Sequence, residues 1–420
     1  EKAELVDGNP YKVKFTMSKP YYKTLYTFED IKVVPKHLLN KDGLSDNFTF
    51  EDLKQASLNP DPAKFKDMQV FADFINSQDV SRSPKYVVGT GPYKLDNWVT
   101  GQSITLTRND NYWNKEQIPQ YPNKLIFKTI QDQTAALTAL KNGEIDNMSV
   151  FKTEDFVEGL KNPEDYNLKK YLVGRPVYAY IAWNEKSPLF SDKKVRLALS
   201  HLVDRKTIID KLLYGLAVPI QSHVYYKSDE LNKNLAPIDF DVEKAKQLLK
   251  EAGWEDTNGD GILDKMIDGK RVDFKFTFMN NQNPKRKQVV LVIIDALKKV
   301  GIEADIQDYE WSVFLDKQSK HQYDACYGGW VLGDGPSDPY QIFHSSQSND
   351  EGSNYISYNN PESDQIIEQL RIEFDPAKRK ELIMRWQEII YEDQPYTFLW
   401  SDVSKFATSD RYRNTRWYAH

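Results

Sequence analysis

The sequence predicts an α/β protein of at least two lobes. Three observations carry this. The chain has 420 residues, 40% of them hydrophobic, enough to bury more than one core, since single domains usually hold about 100 to 200 residues. Strand and helix patterns alternate from Tyr93 to Asp146. A second strand–helix–strand series runs from Val272 to Ile306, and a crossover of that kind favours parallel pairing.

At the start, Tyr11, Val13 and Phe15 alternate with Lys12, Lys14 and Thr16, the period of a half-buried strand. Residues 42 to 84 read as helix and loop, with Asp61, Pro62 and Ala63 offering a cap followed by proline at the first helical position. From Lys85 the pattern turns to strands at Tyr93 to Leu95, Ile104 to Thr107, and Leu125 to Phe127. Thr134 is placed to cap a helix from Ala135 to Asn142, with Leu137 and Leu140 on one face and Gly143 as its left-handed stop.

Two helices follow. Ser191 caps the first, whose stripe is Val195, Ala198, Leu199 and Leu202, and Asp204 caps the second, with Ile208, Ile209, Leu212 and Leu213 before Gly215. A third helix, Asp241 to Ala252, buries Ala245, Leu248 and Leu249 and stops at Gly253. Val272 to Phe278 alternates as a strand, Lys285 to Val300 is helical, and Ile302 to Ile306 returns as a strand. Asp375 and Pro376 open a helix through Tyr391 on the stripe Leu382, Ile383, Trp386 and Ile390. Pro395 breaks it before a last strand, Tyr396 to Trp400.

The formal net charge of -6 provides no basic field for a phosphate backbone, so nucleic acid is not an expected partner. The single cysteine, Cys326, excludes an intrachain disulfide and reads as a small buried hydrophobe. The longest apolar run, Val289 to Ile294, is far short of the roughly 20 residues needed to cross a bilayer. Glu1 opens no secretion signal, so a targeting segment would lie outside this sequence.

Two dense motif blocks carry more information. The first runs Val87, Val88, Gly89, Thr90, Gly91, Pro92, Tyr93, Lys94, Leu95, then Trp98 and Asn111, Tyr112, Trp113. The second runs from Asn184 through Pro188 to Leu199 and on to Asp204, Arg205 and Gly215. With Asp241 to Trp254, Glu310, Trp311, Phe314, the Gly328, Gly329, Trp330 segment followed by Asp338 and Pro339, and Glu373 to Pro395, the sequence resembles the oligopeptide-binding family of extracytoplasmic solute-binding proteins of ABC importers.

The resemblance implies a periplasmic-binding-protein-like fold of type II, two α/β lobes joined by hinge strands, with the N-terminal small lobe incomplete. On that basis residues 1–84 are a remnant of the first lobe and its connection, 85–187 part of lobe I, 188–400 lobe II, and 401–420 a return to lobe I. It implies a monomer outside the cytoplasm, periplasmic or held as a lipoprotein. Such a protein captures a peptide or other small solute in an interlobe cleft and passes it to ABC permease subunits. Closure works only through the ligand's differential contacts with the closed form.

Trp311 and Trp330 match positions that line the family's cleft, where an indole adds area and one donor; the bland alternative is core packing. Tyr178, Tyr180, Asn354 and Trp400 alternate with apolar neighbours and fit either role. Tyr93, beside glycines that permit close backbone approach, is a ligand contact or simply the start of a strand. The family's peptide binders pair the peptide's ammonium group with an aspartate soon after the second tryptophan. Here the nearest acid, Asp334, stands one position later than usual, with Asp338 beyond it. Gln318, Ser319 and Tyr327 occupy places where basic residues hold the peptide carboxylate in some members.

Asp256, Asn258, Asp260 and Asp264 have the oxygen spacing of a calcium loop with Gly261 at its sixth position, but Ile267 stands where the final bidentate ligand belongs. Asn258 and Gly259 also make a hairpin turn without any ion. No other cofactor is implied. No nucleophile elbow, phosphate-binding glycine loop or zincin histidine pair is present, so an enzyme is not expected. A carbohydrate-active hydrolase with two placed carboxylates and a docking component that binds no solute are the readings set against the solute binder.

Overall fold

The computed structural model describes all residues except 1, 10, 30, 32, 41, 60, 62, 334, 350, 351, 414, 416 and 418–420. The chain separates into two compact units, one formed by Glu1–Glu29 with Ala139–His420 and the other by Asp30–Thr138. The pattern changes read from the sequence fall instead at 84/85, 187/188 and 400/401. A change from helix to strand is visible in composition, whereas packing decides which segments share a unit.

The larger unit is organised by a five-stranded mixed sheet. Its order is Glu303–Asp308, Lys275–Asn280, Ala325–Val331, Val177–Trp183 and Tyr396–Phe398. The expected crossover is present: Lys275–Asn280 and Glu303–Asp308 pair in parallel, Phe276 opposite Ala304, and the helix Pro284–Lys298 joins them. Val177–Trp183 pairs antiparallel on both sides. Its side chains alternate between two cores. Ala179, Ile181 and Trp183 face the helices Lys193–His201, Arg205–Leu212, Val242–Glu251 and Pro284–Lys298, while Tyr178, Tyr180 and Ala182 face Pro361–Ile372 and Pro376–Asp393. A second sheet pairs the long strand Trp400–Ser409 with Leu168–Gly174 and Asn147–Ser149. The last strand read from the sequence thus divides in two and runs past residue 401.

Local expectations hold at most helix starts. Asp204 accepts from Thr207 N, Asp241 from Lys244 N, and Asp375 from Ala377 N and Lys378 N. Two caps are corrected by one or two residues. Asp192, not Ser191, accepts from Lys194 N, and Asp132, not Thr134, accepts from Ala135 N; a carboxylate one turn upstream competes well with a hydroxyl for the same amides. Among the described residues the strand Val13–Thr16 pairs only with Lys2–Leu5, and Val13 and Phe15 stay 53% and 43% exposed rather than half-buried on a core. Val272 belongs to a separate hairpin, Asp264–Ile267 with Lys270–Asp273.

The charged residues of the second motif block are structural. Arg196 donates to the carbonyls of Phe190, Ser191 and Asp393 and pairs with Glu185 at 3.2 Å. Arg205 donates to Phe398 O and Ile238 O. Both guanidiniums are buried: Arg196 ties its helix to the C-terminus of Pro376–Asp393 and Arg205 ties its helix to the sheet strand Tyr396–Phe398, a use for which the five-donor fork of arginine is suited.

The smaller unit carries the helices Phe50–Leu58, Lys66–Ile75 and Gln78–Arg82 and an antiparallel sheet of Tyr93–Val99, Ser103–Arg108 and Lys124–Lys128. Thr49 and Asp52 form a capping box. Pro62 of the expected cap lies outside the described residues; Asp61 accepts from Ala63 N and the helix begins at Lys66. Asn109 ties the first motif block together, donating from Nδ2 to Gly91 O while its backbone N–H donates to Pro92 O. A Cβ at Gly89 or Gly91 would meet nothing within 4 Å, so the expected tight backbone approach at these glycines is not the reason for them here. Among the described residues no helix is long and apolar enough to cross a membrane.

A candidate solute site at Trp330

The site is built on the antiparallel pair Ala325–Val331 and Val177–Trp183, in which Gly328 lies opposite Tyr180 and Trp330 opposite Tyr178. Tyr180 lays its ring flat across Gly328: a Cβ there would fall 2.3 Å from Tyr180 Cζ. The glycine exists to admit the ring. The ring in turn sits 3.9 Å from that of Tyr396 and, nearly parallel to it, 6.5 Å from that of Trp330, which stacks on Tyr355 at 6.0 Å. Trp330 Nε1 reaches Tyr396 Oη at 3.5 Å. This ladder of four rings holds the half-buried indole in one orientation, and such offset stacking adds about 0.5 to 1.5 kcal/mol per pair beyond area burial.

Trp330 faces a cavity of about 460 Å³ within the larger unit, lined also by Lys23, His223, Tyr225, Asp338 and the residues Val331 to Gly333 and Gly335 to Ser337. That volume lies in the range of small-molecule sites. Tyr178 Oη and His223 Nδ1 share a hydrogen bond of 2.9 Å. Burial drives the imidazole down to about 4, with Asp338 opposing and Lys23 reinforcing the shift. His223 therefore presents a neutral ring at neutral pH.

The loop after Trp330 is clamped from several sides. Leu332 N donates to Pro176 O at 2.7 Å, Ser337 N donates to Glu230 Oε2 at 2.8 Å, and the buried pair Glu230–Arg379 sits behind it. Tyr22 donates to Ser337 O at 2.7 Å under the Arg379 guanidinium, 3.8 Å above its ring. Gly335, at φ +79°, leaves room for the Tyr26 ring. Asp338 accepts from Tyr21 Oη at 2.7 Å and pairs with Arg371 at 3.3 Å. Its charge is compensated before any ligand arrives.

Of the candidates named from the sequence, Trp330 lines this cavity, whereas Tyr178 and Tyr180 do not: they are buried in the core, Tyr178 bonded to His223 and Tyr180 stacked between Tyr396 and Trp330. Trp311 begins the helix Trp311–Ser319, 48% exposed and stacked on Phe314, and does not line this cavity. Asn354 is fully buried, donating to His344 O and Tyr358 O and accepting from Tyr358 N. Trp400 is fully buried against Tyr327. Tyr93 belongs to the smaller unit, where its hydroxyl donates to Pro122 O at 2.9 Å. Asp334 lies outside the described residues. Lys23, His223 and Tyr225 escaped sequence reasoning, because they stand in no motif and meet only through tertiary contact.

In the Asp256–Asp264 loop the carboxylates turn onto the loop itself. Asp256 accepts from Gly259 N and Gly261 N, Asp260 from Ile262 N, and Asp264 from Thr257 N and Oγ1 at 2.9 and 2.6 Å. Gly259 and Gly261 hold φ of +78° and +86°, the left-handed values that such a turn needs. Among the described residues no group of three or more His, Cys, Asp or Glu is disposed to hold a metal ion.

The chain is 40% identical over 330 residues to the oligopeptide-binding protein AppA of Bacillus subtilis, covering 75% of this chain and 57% of AppA; it spans little more than half of that relative's length. The solved structure of Bacillus subtilis AppA in complex with a nonapeptide superimposes with a TM-score of 0.71 and 32% identity, over 100% of this chain and 75% of that one. NikZ from Campylobacter jejuni in complex with Ni(L-His) gives 0.72 and 25% over the same shares. These neighbours bind solutes and are not enzymes, and they share the type II binding-protein fold. Residues 1–354 match the family described as bacterial extracellular solute-binding proteins, family 5 Middle, and the chain belongs to that family.

Proposed function

We propose that this chain captures a peptide at the Trp330 cavity, outside the cytoplasm and as a monomer, and delivers it to the permease subunits of an ABC importer. The observation that carries the reading is a rigidly stacked, half-buried Trp330 facing a cavity of about 460 Å³ in a chain 40% identical to an oligopeptide-binding protein. An aromatic wall is tolerant of side-chain identity while giving large contact area at little rotamer cost. That combination suits peptides of mixed sequence. In this reading Asp334 pairs with the peptide's ammonium group, since Asp338 is already held by Arg371 and Tyr21.

The test is native mass spectrometry of gently purified protein, with denaturing release of whatever is retained. Short peptides of mixed sequence are expected. Trp330→Ala is expected to weaken peptide binding at least about tenfold, equivalent to ~1.4 kcal/mol. Asp334→Asn is expected to weaken free-amine peptides and spare N-acetylated ones. A protein that is recovered empty and gains no thermal stability from peptide pools would sink the peptide reading; a retained metal chelate would replace it.

A further inference from the structure

We propose that residues 21–29 form a strap that closes one side of the Trp330 cavity and lifts for solute to enter or leave, with Tyr21 and Tyr22 as the residues that position it. The proposal rests on the reading of this cavity as a solute site and adds to it the step that controls access.

The strap lies on the cavity wall. Its Lys23 lines the cavity together with Gly335, Pro336, Ser337 and Asp338, and the strap touches each of those four in turn. The Tyr26 ring covers Gly335, where a Cβ would fall 2.8 Å from Tyr26 Cδ1. Tyr22 Oη reaches Pro336 O at 3.3 Å and Ser337 O at 2.7 Å, and Tyr21 Oη donates to Asp338 at 2.7 Å. The guanidiniums of Arg379 and Arg371 back the two phenol rings from 3.8 and 4.8 Å. Both hydroxyls thus rest on the loop that follows Trp330, and the position of the strap and the shape of that wall are set together.

Side chains hold the strap, and no core does. None of the residues described from Ala3 to Phe28 is buried, and Leu25, in the short helix Thr24–Glu29, is 76% exposed. A helix of six residues is far below the roughly 12 to 15 that stand alone in water. Among the described residues a single backbone hydrogen bond, from Tyr22 N to Arg371 O at 3.0 Å, ties the strap to the rest of the larger unit. The opposite side of the cavity is built on buried residues such as His223 and Ile342. Segments with few buried apolar contacts open at much lower free energy than a core, so the strap is the wall that yields first. A solute that touches Lys23 in the docked form favours docking by that contact and by no more.

The experiment uses the full chain carrying Tyr21→Phe and Tyr22→Phe, which keep both rings against their arginines and remove only the hydroxyls. Stopped-flow tryptophan fluorescence with a synthetic pentapeptide gives the association and dissociation rates. Both are expected to rise about tenfold, the combined worth of two hydrogen bonds, with Kd and melting temperature close to wild type, because a weaker strap opens the free and the loaded cavity alike. A rise in dissociation alone makes the tyrosines part of a fixed wall and overturns the strap, as do unchanged rates; the peptide reading stands in either case. If no peptide binds, the peptide reading falls and the strap is decided by labelling. Ile342, 9% exposed on the cavity wall, is replaced by cysteine and treated with a maleimide, with the buried Cys326 as background. Labelling about tenfold faster when both tyrosines are phenylalanine supports the strap, and equal labelling overturns it.

Discussion

Alanine at Gly328 would place a Cβ 2.3 Å from Tyr180 Cζ and 2.5 Å from its hydroxyl oxygen, closer than unbonded atoms tolerate. The outer end of a tyrosine is usually free to swing aside, but this one is not. Tyr180 is 2% exposed, with the Tyr396 ring 3.9 Å away and the Trp330 indole beyond its other side, and both flanking strands are fixed by the Gly328–Tyr180 register. Overpacking of a filled core costs about 1 to 3 kcal/mol, and with no route of escape the loss should lie near 3 kcal/mol. Two neighbours calibrate it. A Cβ at Gly329 would come to 3.3 Å of Tyr178 O, and one at Gly333 would meet nothing within 4 Å. Gly329→Ala should therefore cost under about 1 kcal/mol, and Gly333→Ala should be neutral or slightly stabilising. Urea unfolding followed by tryptophan fluorescence measures all three. Adding Tyr180→Ala removes the clash, so the double variant should lose no more than Tyr180→Ala alone, a non-additivity expected only of groups in contact. A Gly328→Ala protein as stable as Gly329→Ala would refute the steric argument and, with it, the fixed orientation of Trp330.

Glu185 gives a pH effect of definite sign. Burial raises its carboxyl to about 7 against the pull of Arg196, with Asp393 adding to the rise; the folded state then holds its proton more tightly than the unfolded chain, and stability present below about pH 4.5 is lost as pH rises towards 7. At ~1.4 kcal/mol per unit the ceiling is about 3 kcal/mol, and Glu185→Gln should flatten unfolding free energies measured at pH 5, 6 and 7; an unchanged slope would show that the charge is not the cause. Asp204→Ala and Asp241→Ala each remove a side-chain cap and should cost about 1 kcal/mol in the same assay. Millimolar calcium should leave the melting temperature unchanged, because the carboxylates of the Asp256–Asp264 loop already close on its amides; a concentration-dependent rise would show that the loop reopens to bind.

Much of the fold was legible because its signals are local. The stripe Val195, Ala198, Leu199, Leu202 is wholly buried, and the crossover from Lys275 to Asp308 pairs as the alternation implied. Caps slipped where two adjacent residues could each accept the same amides, as at Ser191 and Asp192. The strand at Val13 showed the right period, but period says nothing of whether a second layer exists to cover it. The site was harder. Gly328, Gly329 and Trp330 stood out as a motif, yet the reason for the first glycine is a ring on another strand, 148 positions earlier by the Gly328–Tyr180 pairing. Nothing in the sequence links Lys23 to His223 or Asp338 to Arg371, since those meetings depend on how the N-terminal segment and the helix Pro361–Ile372 fold onto the loop.

The strand order also constrains how the protein is made. Val177–Trp183 is apolar along its length, and both its partners come from much later in the chain, Ala325–Val331 and Tyr396–Phe398. Trp183 donates to Thr397 across 214 residues. Until Tyr396 has left the ribosome one edge of this strand has no mate, and an unpaired apolar edge invites the wrong one. Contacts this distant in sequence also close slowly. The larger unit therefore cannot close until Tyr396–Phe398 has emerged, and any holding factor that binds the nascent chain before then should recognise the segment from Val177 to Trp183.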